Sequence, residues 1–124
     1  MFGPHLTIDL YGCNERKICN KKFIYNVLNE LPDIIGMHKI SKPYIKVYSG
    51  KKGSFDKGGI SSFILIAESH ISIHTFKEYS FASVDIFSCK EFEVEKAEEY
   101  LVKKFEAKKV ERNFIVRGKE FKKL

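Results

Sequence analysis

Three short β-rich runs, at residues 62–67, 71–76 and 81–88, follow one another with only three and four residues between them. A parallel return would need a crossover of about a dozen residues or more, so these runs pair as antiparallel neighbours. They form the middle of a sheet, and the rest of the chain has to fit around it. At residues 5–11, Leu6, Ile8 and Leu10 alternate with His5, Thr7, Asp9 and Tyr11, the period-two pattern of a half-buried strand, and Gly12 ends it. Residues 44–48 and 110–117 read as further strands, and the loop at 49–59, with four glycines, is expected to be mobile.

Two stretches have helical rather than strand spacing. Asn20 caps a helix over residues 21–31, where Phe23, Ile24, Val27, Leu28 and Leu31 make one apolar stripe, and Pro32 is expected to stop it. Residues 94–105 form a second helix, with Val94, Ala97, Leu101 and Phe105 on one side and Glu and Lys on the other. The order is βαβ, three strands, then αβ, which places the chain in the α+β class. The helices cover the apolar side of the sheet, leaving Thr7, Asp9, Ser72, His74, Ser83 and Asp85 on the other. Either that polar face is simply exposed, or two such faces meet across a dimer and enclose a site.

The 124 residues are enough for one core and too few for two, so a single domain spanning residues 1–124 is expected. The longest apolar run, 63–67, is far below the roughly 20 residues of a membrane span, and the N-terminus lacks a basic leader, so no membrane association and a cytoplasmic location are expected. Cys13, Cys19 and Cys89 form no CxxC pair and leave an odd number, which points to neither a disulfide framework nor a metal site. The net charge of +6 is spread among interleaved lysines and glutamates, so nucleic acid is not an expected partner.

The chemistry is concentrated in GGISSFILIAESHISIHTF, residues 58–76, where a glutamate, serines and two histidines crowd into a stretch whose periodicity asks for strand. In an unbroken strand, Ser69 and His74 would face opposite ways, because an odd separation inverts the side. Either the chain turns near residues 68–70, or these two residues do not cooperate. A turn there would leave the Ser69 hydroxyl close to the carbonyl of Glu68, open to intramolecular attack. The plain alternative is a hairpin turn with surface polar residues.

The run AESHISIHTF, with GGISS before it, VDIFSC after it and HLTIDLYGC at the start of the chain, closely resembles the short prokaryotic form of the S-adenosylmethionine decarboxylase family. The resemblance covers nearly the whole chain. It implies a two-layer α/β sandwich, a mainly antiparallel sheet with two helices on one face, joined sheet to sheet in a homodimer whose active sites draw on both protomers. It also implies a proenzyme. Ser69 attacks the Glu68 carbonyl, an N-to-O acyl shift gives an ester, and elimination leaves a pyruvoyl group on an α chain of residues 69–124, after a β chain of 1–68.

By the same resemblance, Ser61 and His74 serve processing, with His74 as proton acceptor. The pyruvoyl carbonyl forms a Schiff base with S-adenosylmethionine, and Cys89 protonates the α-carbon after carbon dioxide leaves, on the route to spermidine; no metal is implied. Phe55 is expected to stack on adenine and Glu78 to accept the ribose hydroxyls. His70 falls in the motif without a chemical role. Lys77 stands where the family usually has proline, which would loosen the turn into Glu78. The rival readings are an arginine or ornithine decarboxylase with the same cofactor, and a non-catalytic binding module that keeps the fold.

Overall fold

The computed structural model describes residues 2–122 and 124. Six strands form one sheet: β1 (Gly3–Tyr11), β2 (Tyr44–Tyr48), β3 (Gly59–Ile66), β4 (Ser69–Phe76), β5 (Phe81–Ser88) and β6 (Lys109–Arg117). Their spatial order is β2-β3-β4-β5-β1-β6, and every adjacent pair is antiparallel. The two short connections make β3, β4 and β5 a meander, while the first and last strands meet beside β5.

Alternation decides which face is buried. Leu6, Ile8 and Leu10 of β1, Ile71 and Ile73 of β4 and Val84 and Ile86 of β5 point to one side and are almost wholly buried. Two long helices, α2 (Lys21–Ile34) and α3 (Val94–Phe105), cover that side with Ile24, Val27, Leu28 and Leu31 and with Ala97, Leu101 and Phe105. The result is a two-layer α/β sandwich with one face of the sheet left open. Burial of these side chains, at about 1.5–3 kcal/mol each, drives the fold. Buried polar groups are paired: Ser62 Oγ donates to the Ile73 carbonyl (2.7 Å), and Thr75 Oγ1 donates to the Ile18 carbonyl (2.9 Å).

Three details depart from the sequence reading. The helix stripe does not stop at Pro32. That residue lies inside α2, where its ring is buried in the core; it forfeits only the amide bond toward Leu28, and the Met37 amide closes the end on the Pro32 carbonyl at 2.7 Å. There are three helices on the covered face rather than two. The extra one, α1 (Glu15–Ile18), is a single turn capped by Asn14, whose side chain accepts from the amides of Arg16 and Lys17. Third, β3 begins at Gly59, inside the expected loop, paired with Tyr48; the position admits only glycine, since a Cβ there would lie 1.8 Å from the Thr75 carbonyl. The remaining loop is tied by its own hydrogen bonds, Lys51 amide to Asp56 carbonyl and Gly58 amide to Asp56 Oδ1.

Candidate active site

The chain turns at Ala67 and Glu68, one residue earlier than expected, and Ser69 already belongs to β4, opposite Ile66 on one side and Ser88 on the other. No further turn separates Ser69 from His74. Five extended residues put them about 17 Å apart. Within one chain the second alternative therefore holds, and the two residues do not meet.

At the turn end, the peptide bond between Glu68 and Ser69 is held from several directions. The Glu68 carbonyl accepts from the Cys89 amide at 2.8 Å. The Ser69 hydroxyl lies 3.1 Å from Nδ1 of His70. Ser69 has φ of +155°, in a region that side chains other than glycine's rarely adopt. Gly3 makes room for this arrangement: a Cβ there would lie 2.0 Å from the Ser88 carbonyl, so only glycine lets β1 pass this close to the backbone before Cys89. The Glu68 carboxylate, 9% exposed, accepts from the His38 amide at 3.1 Å and pairs with His38 Nδ1 at 2.6 Å. Burial would raise its pKa, but the hydrogen bonds from His38 hold the carboxyl below its ordinary value.

The open face beside this turn is built around Phe87. Its ring is approached by His70 (centroids 5.9 Å apart), His5 (5.4 Å) and Phe2 (5.7 Å), with the Arg117 guanidinium 4.1 Å above it. His5 Nε2 lies 3.1 Å from Asp85 Oδ1. Burial, then the charges of Glu111 and Asp85, push the Asp9 carboxyl up. Tyr11 donates to Glu111, and that bond raises the phenol pKa.

The other end of β4 holds the remaining predicted residues. His74 stands opposite Ser61 in register, Nδ1 to Oγ 3.2 Å. Next to them a groove of about 560 Å³ is lined by Tyr11, Phe55, Phe76, Tyr79 and Phe81. Phe55 is 70% exposed at its rim and is tied down by Tyr79, which donates to the Phe55 carbonyl at 2.8 Å and whose ring lies 6.4 Å away. Glu78 is exposed in the single 3₁₀ turn Lys77–Tyr79 and does not line the groove. Lys77 does not loosen that turn: its amide, which proline would lack, donates to the Gly58 carbonyl at 3.1 Å.

The structure thus brings Glu68, Ser69 and Cys89 together, brings Ser61, His74 and Phe55 to a second place, and separates the two groups. Residues 4–118 match the sequence model of the family described as S-adenosylmethionine decarboxylase. The chain belongs to this family. Among similar proteins, the S-adenosylmethionine decarboxylase proenzymes of Archaeoglobus fulgidus and of Clostridium botulinum strain Loch Maree are 33% and 36% identical over 85 residues, 68% of this chain. The arginine decarboxylase proenzyme of Caldivirga maquilingensis is 31% identical over the same length. The matched stretches span 69%, 66% and 60% of those proteins. The crystal structure of the adenosylmethionine decarboxylase from Aquifex aeolicus superposes with a TM-score of 0.76 at 28% identity, covering 94% of this chain and 91% of that one.

Sequence reasoning missed three parts of the turn-end cluster. His70 had a motif but no geometry, and the bond to the Ser69 hydroxyl supplies it. Phe87 stood only as one residue of the 81–88 run and of VDIFSC. His38 had no local signal at all, since its partner is 30 residues away. Cys13 keeps its plain reading, a buried thiol whose pKa is pushed up to about 11 by burial.

Proposed function

We propose that this chain is a self-cleaving proenzyme that decarboxylates S-adenosylmethionine with a pyruvoyl group made from Ser69, acting as a homodimer. The observation that carries the reading is the contact of the Cys89 amide with the Glu68 carbonyl (2.8 Å), in a member of this family, at a peptide bond followed by a strained serine. That amide is a ready donor for the charge that builds on the oxygen when Ser69 Oγ attacks. His70 is the base in reach of the hydroxyl proton.

The attack breaks the C–N bond and leaves Glu68 as an ester on Ser69 Oγ, with the serine nitrogen freed as an amine. Removal of the Ser69 α-hydrogen then expels the Glu68 carboxylate, and water replaces the nitrogen as ammonia to give the pyruvoyl end. We assign that hydrogen to His74, oriented by Ser61. Because His74 of the same chain lies about 17 Å off, a second protomer must supply it. Two open faces apposed about a two-fold axis set the His74 end of one sheet against the Ser69 end of the other. Exposed Tyr44, Phe63 and Leu65 on that face fit burial in such an interface.

The pyruvoyl group, once made, supplies a carbonyl that withdraws electrons from the substrate's α-carbon as carbon dioxide leaves. Cys89, fixed beside the same bond, is the proton donor to that carbon. The aromatic groove, with Phe55 at its rim, takes the adenine ring, and Glu78 takes the ribose hydroxyls. No helix is long and apolar enough to cross a membrane among the described residues, and three unpaired cysteines fit a reducing, cytoplasmic setting.

Intact-mass measurement tests the cleavage. The wild-type chain is expected as two fragments, the second with a blocked N-terminus, and Ser69→Ala as one whole chain; a wild-type chain that stays whole after long incubation sinks the proposal. Arginine is the second reading, favoured by the arginine decarboxylase relative. Carbon dioxide release measured side by side on S-adenosylmethionine, arginine and ornithine decides the substrate, and release from an amino acid alone overturns our choice.

A further inference from the structure

We propose that His38 is a positioning residue for self-cleavage, clamping the Glu68 side chain so that the bond to Ser69 is presented for attack. The inference rests on the functional reading above. Glu68 has its side chain and its carbonyl held separately. The carbonyl is bonded by the Cys89 amide, and the carboxylate is bonded twice by His38, through the amide (3.1 Å) and ring Nδ1 (2.6 Å). An ionised carboxylate only accepts, so Nδ1 carries the hydrogen. The His38 carbonyl in turn accepts the Ala67 amide at 2.7 Å, and Lys39 pairs with Ile66, so both residues of the turn are stitched to the segment after α2.

This clamp acts on the residue whose carbonyl carbon is attacked. A serine at φ +155° persists only where its surroundings over-determine the backbone. Ala67 is exposed, so of the two side chains in the turn it is the Glu68 carboxylate, 9% exposed, that anchors it. His38 is largely in solvent apart from that contact, its side chain 73% exposed, so its ring contributes little packing that would otherwise explain it. The Glu68 side chain therefore has a function that its carbonyl alone does not account for: it holds the reacting carbon within reach of the Ser69 oxygen.

The test follows cleavage of full-length chains made by cell-free synthesis, quenched at intervals and weighed intact. His38→Ala is expected to slow cleavage roughly tenfold. His38→Asn, whose side-chain amide replaces Nδ1 as donor, is expected to recover most of the rate. Glu68→Ala is expected to be slow, and the His38→Ala/Glu68→Ala pair no slower than the slower single variant, because both remove one contact. The same substitutions on the Ser69→Ala chain are expected to melt within a few degrees of it. If His38→Ala unfolds, His38→Asp replaces it, being the size of Asn but lacking the donor, and is expected to be slow. Wild-type rate in His38→Ala, equal rates for Asn and Asp, or multiplied losses in the double variant would overturn the clamp. A wild-type chain that never cleaves overturns the functional reading itself, and is told apart because no variant then differs.

Discussion

The two ends of β4 are built on opposite principles. At the turn end, Glu68 and Ser69 are held by backbone and side-chain bonds of 2.6–3.1 Å. At the other end, rings from β1, β4, β5 and two loops border an open groove of about 560 Å³, beside which His74 meets Ser61 and Tyr79 ties down the Phe55 backbone. The first arrangement suits a bond that must be attacked in one geometry. The second suits a flat apolar group that arrives and leaves. Under the proposed reaction each is half of a site, and the 17 Å or so between them is a property of strand geometry that no side-chain motion closes.

The largest effect expected is on that separation. Mixing chains carrying Ser69→Ala with chains carrying His74→Ala, so that heterodimers form, is expected to restore cleavage to the His74→Ala chain, which alone should cleave at least about a hundredfold more slowly. Mass spectrometry of the mixture reads it directly. Absence of rescue in verified heterodimers would mean that His74 serves its own chain or none. A smaller effect sharpens the division of labour. Phe55→Ala is expected to raise KM for S-adenosylmethionine about tenfold, from lost stacking worth roughly 1–3 kcal/mol, while the cleavage rate measured on the intact chain stays unchanged. A matched fall in cleavage would erase the distinction between the two ends.

The smallest effect concerns pH. The Glu68 carboxyl is held below its usual 4.5, so the folded state binds its proton less readily than the unfolded chain. Its contribution to stability is fully present above about pH 4.5 and fades as pH falls through the lowered value. Thermal midpoints of Ser69→Ala and Ser69→Ala/Glu68→Gln are expected to differ most near neutral pH and to converge in acid. A gap that does not narrow as the pH is lowered would assign the difference to packing.

Much of the fold was legible because it is written in local periods. Leu6, Ile8 and Leu10 declare a buried strand face, and Ala97, Leu101 and Phe105 a helix stripe, with no reference to anything distant. Where the reading slipped, a tertiary contact had overruled a local rule. Pro32 continues a helix because the core accepts its ring, and Gly59 joins a strand because it pairs with Tyr48 where Thr75 passes too close for any side chain. The candidate site was legible as a set of residues through the family resemblance. Which members touch was not: Ser69 with His70, and Glu68 with both His38 and Cys89, are pairings that depend on the register of β4 with β5 and on where the segment after α2 comes to rest.

The sequence by itself determined that short antiparallel strands would carry one apolar and one polar face, because side-chain alternation and connection length leave no other pairing. It also placed a serine, two histidines and a cysteine on or beside those strands. Only the tertiary structure decided that the serine and His74 lie at opposite ends of one continuous strand, since an extended backbone has a fixed rise and the turn fell before Ser69 rather than after it. Only the same structure put a buried carboxylate, a histidine from far along the chain and a main-chain amide around a single peptide bond. Those contacts span 21 and 30 residues, and spacing along a chain says nothing about distances closed by folding.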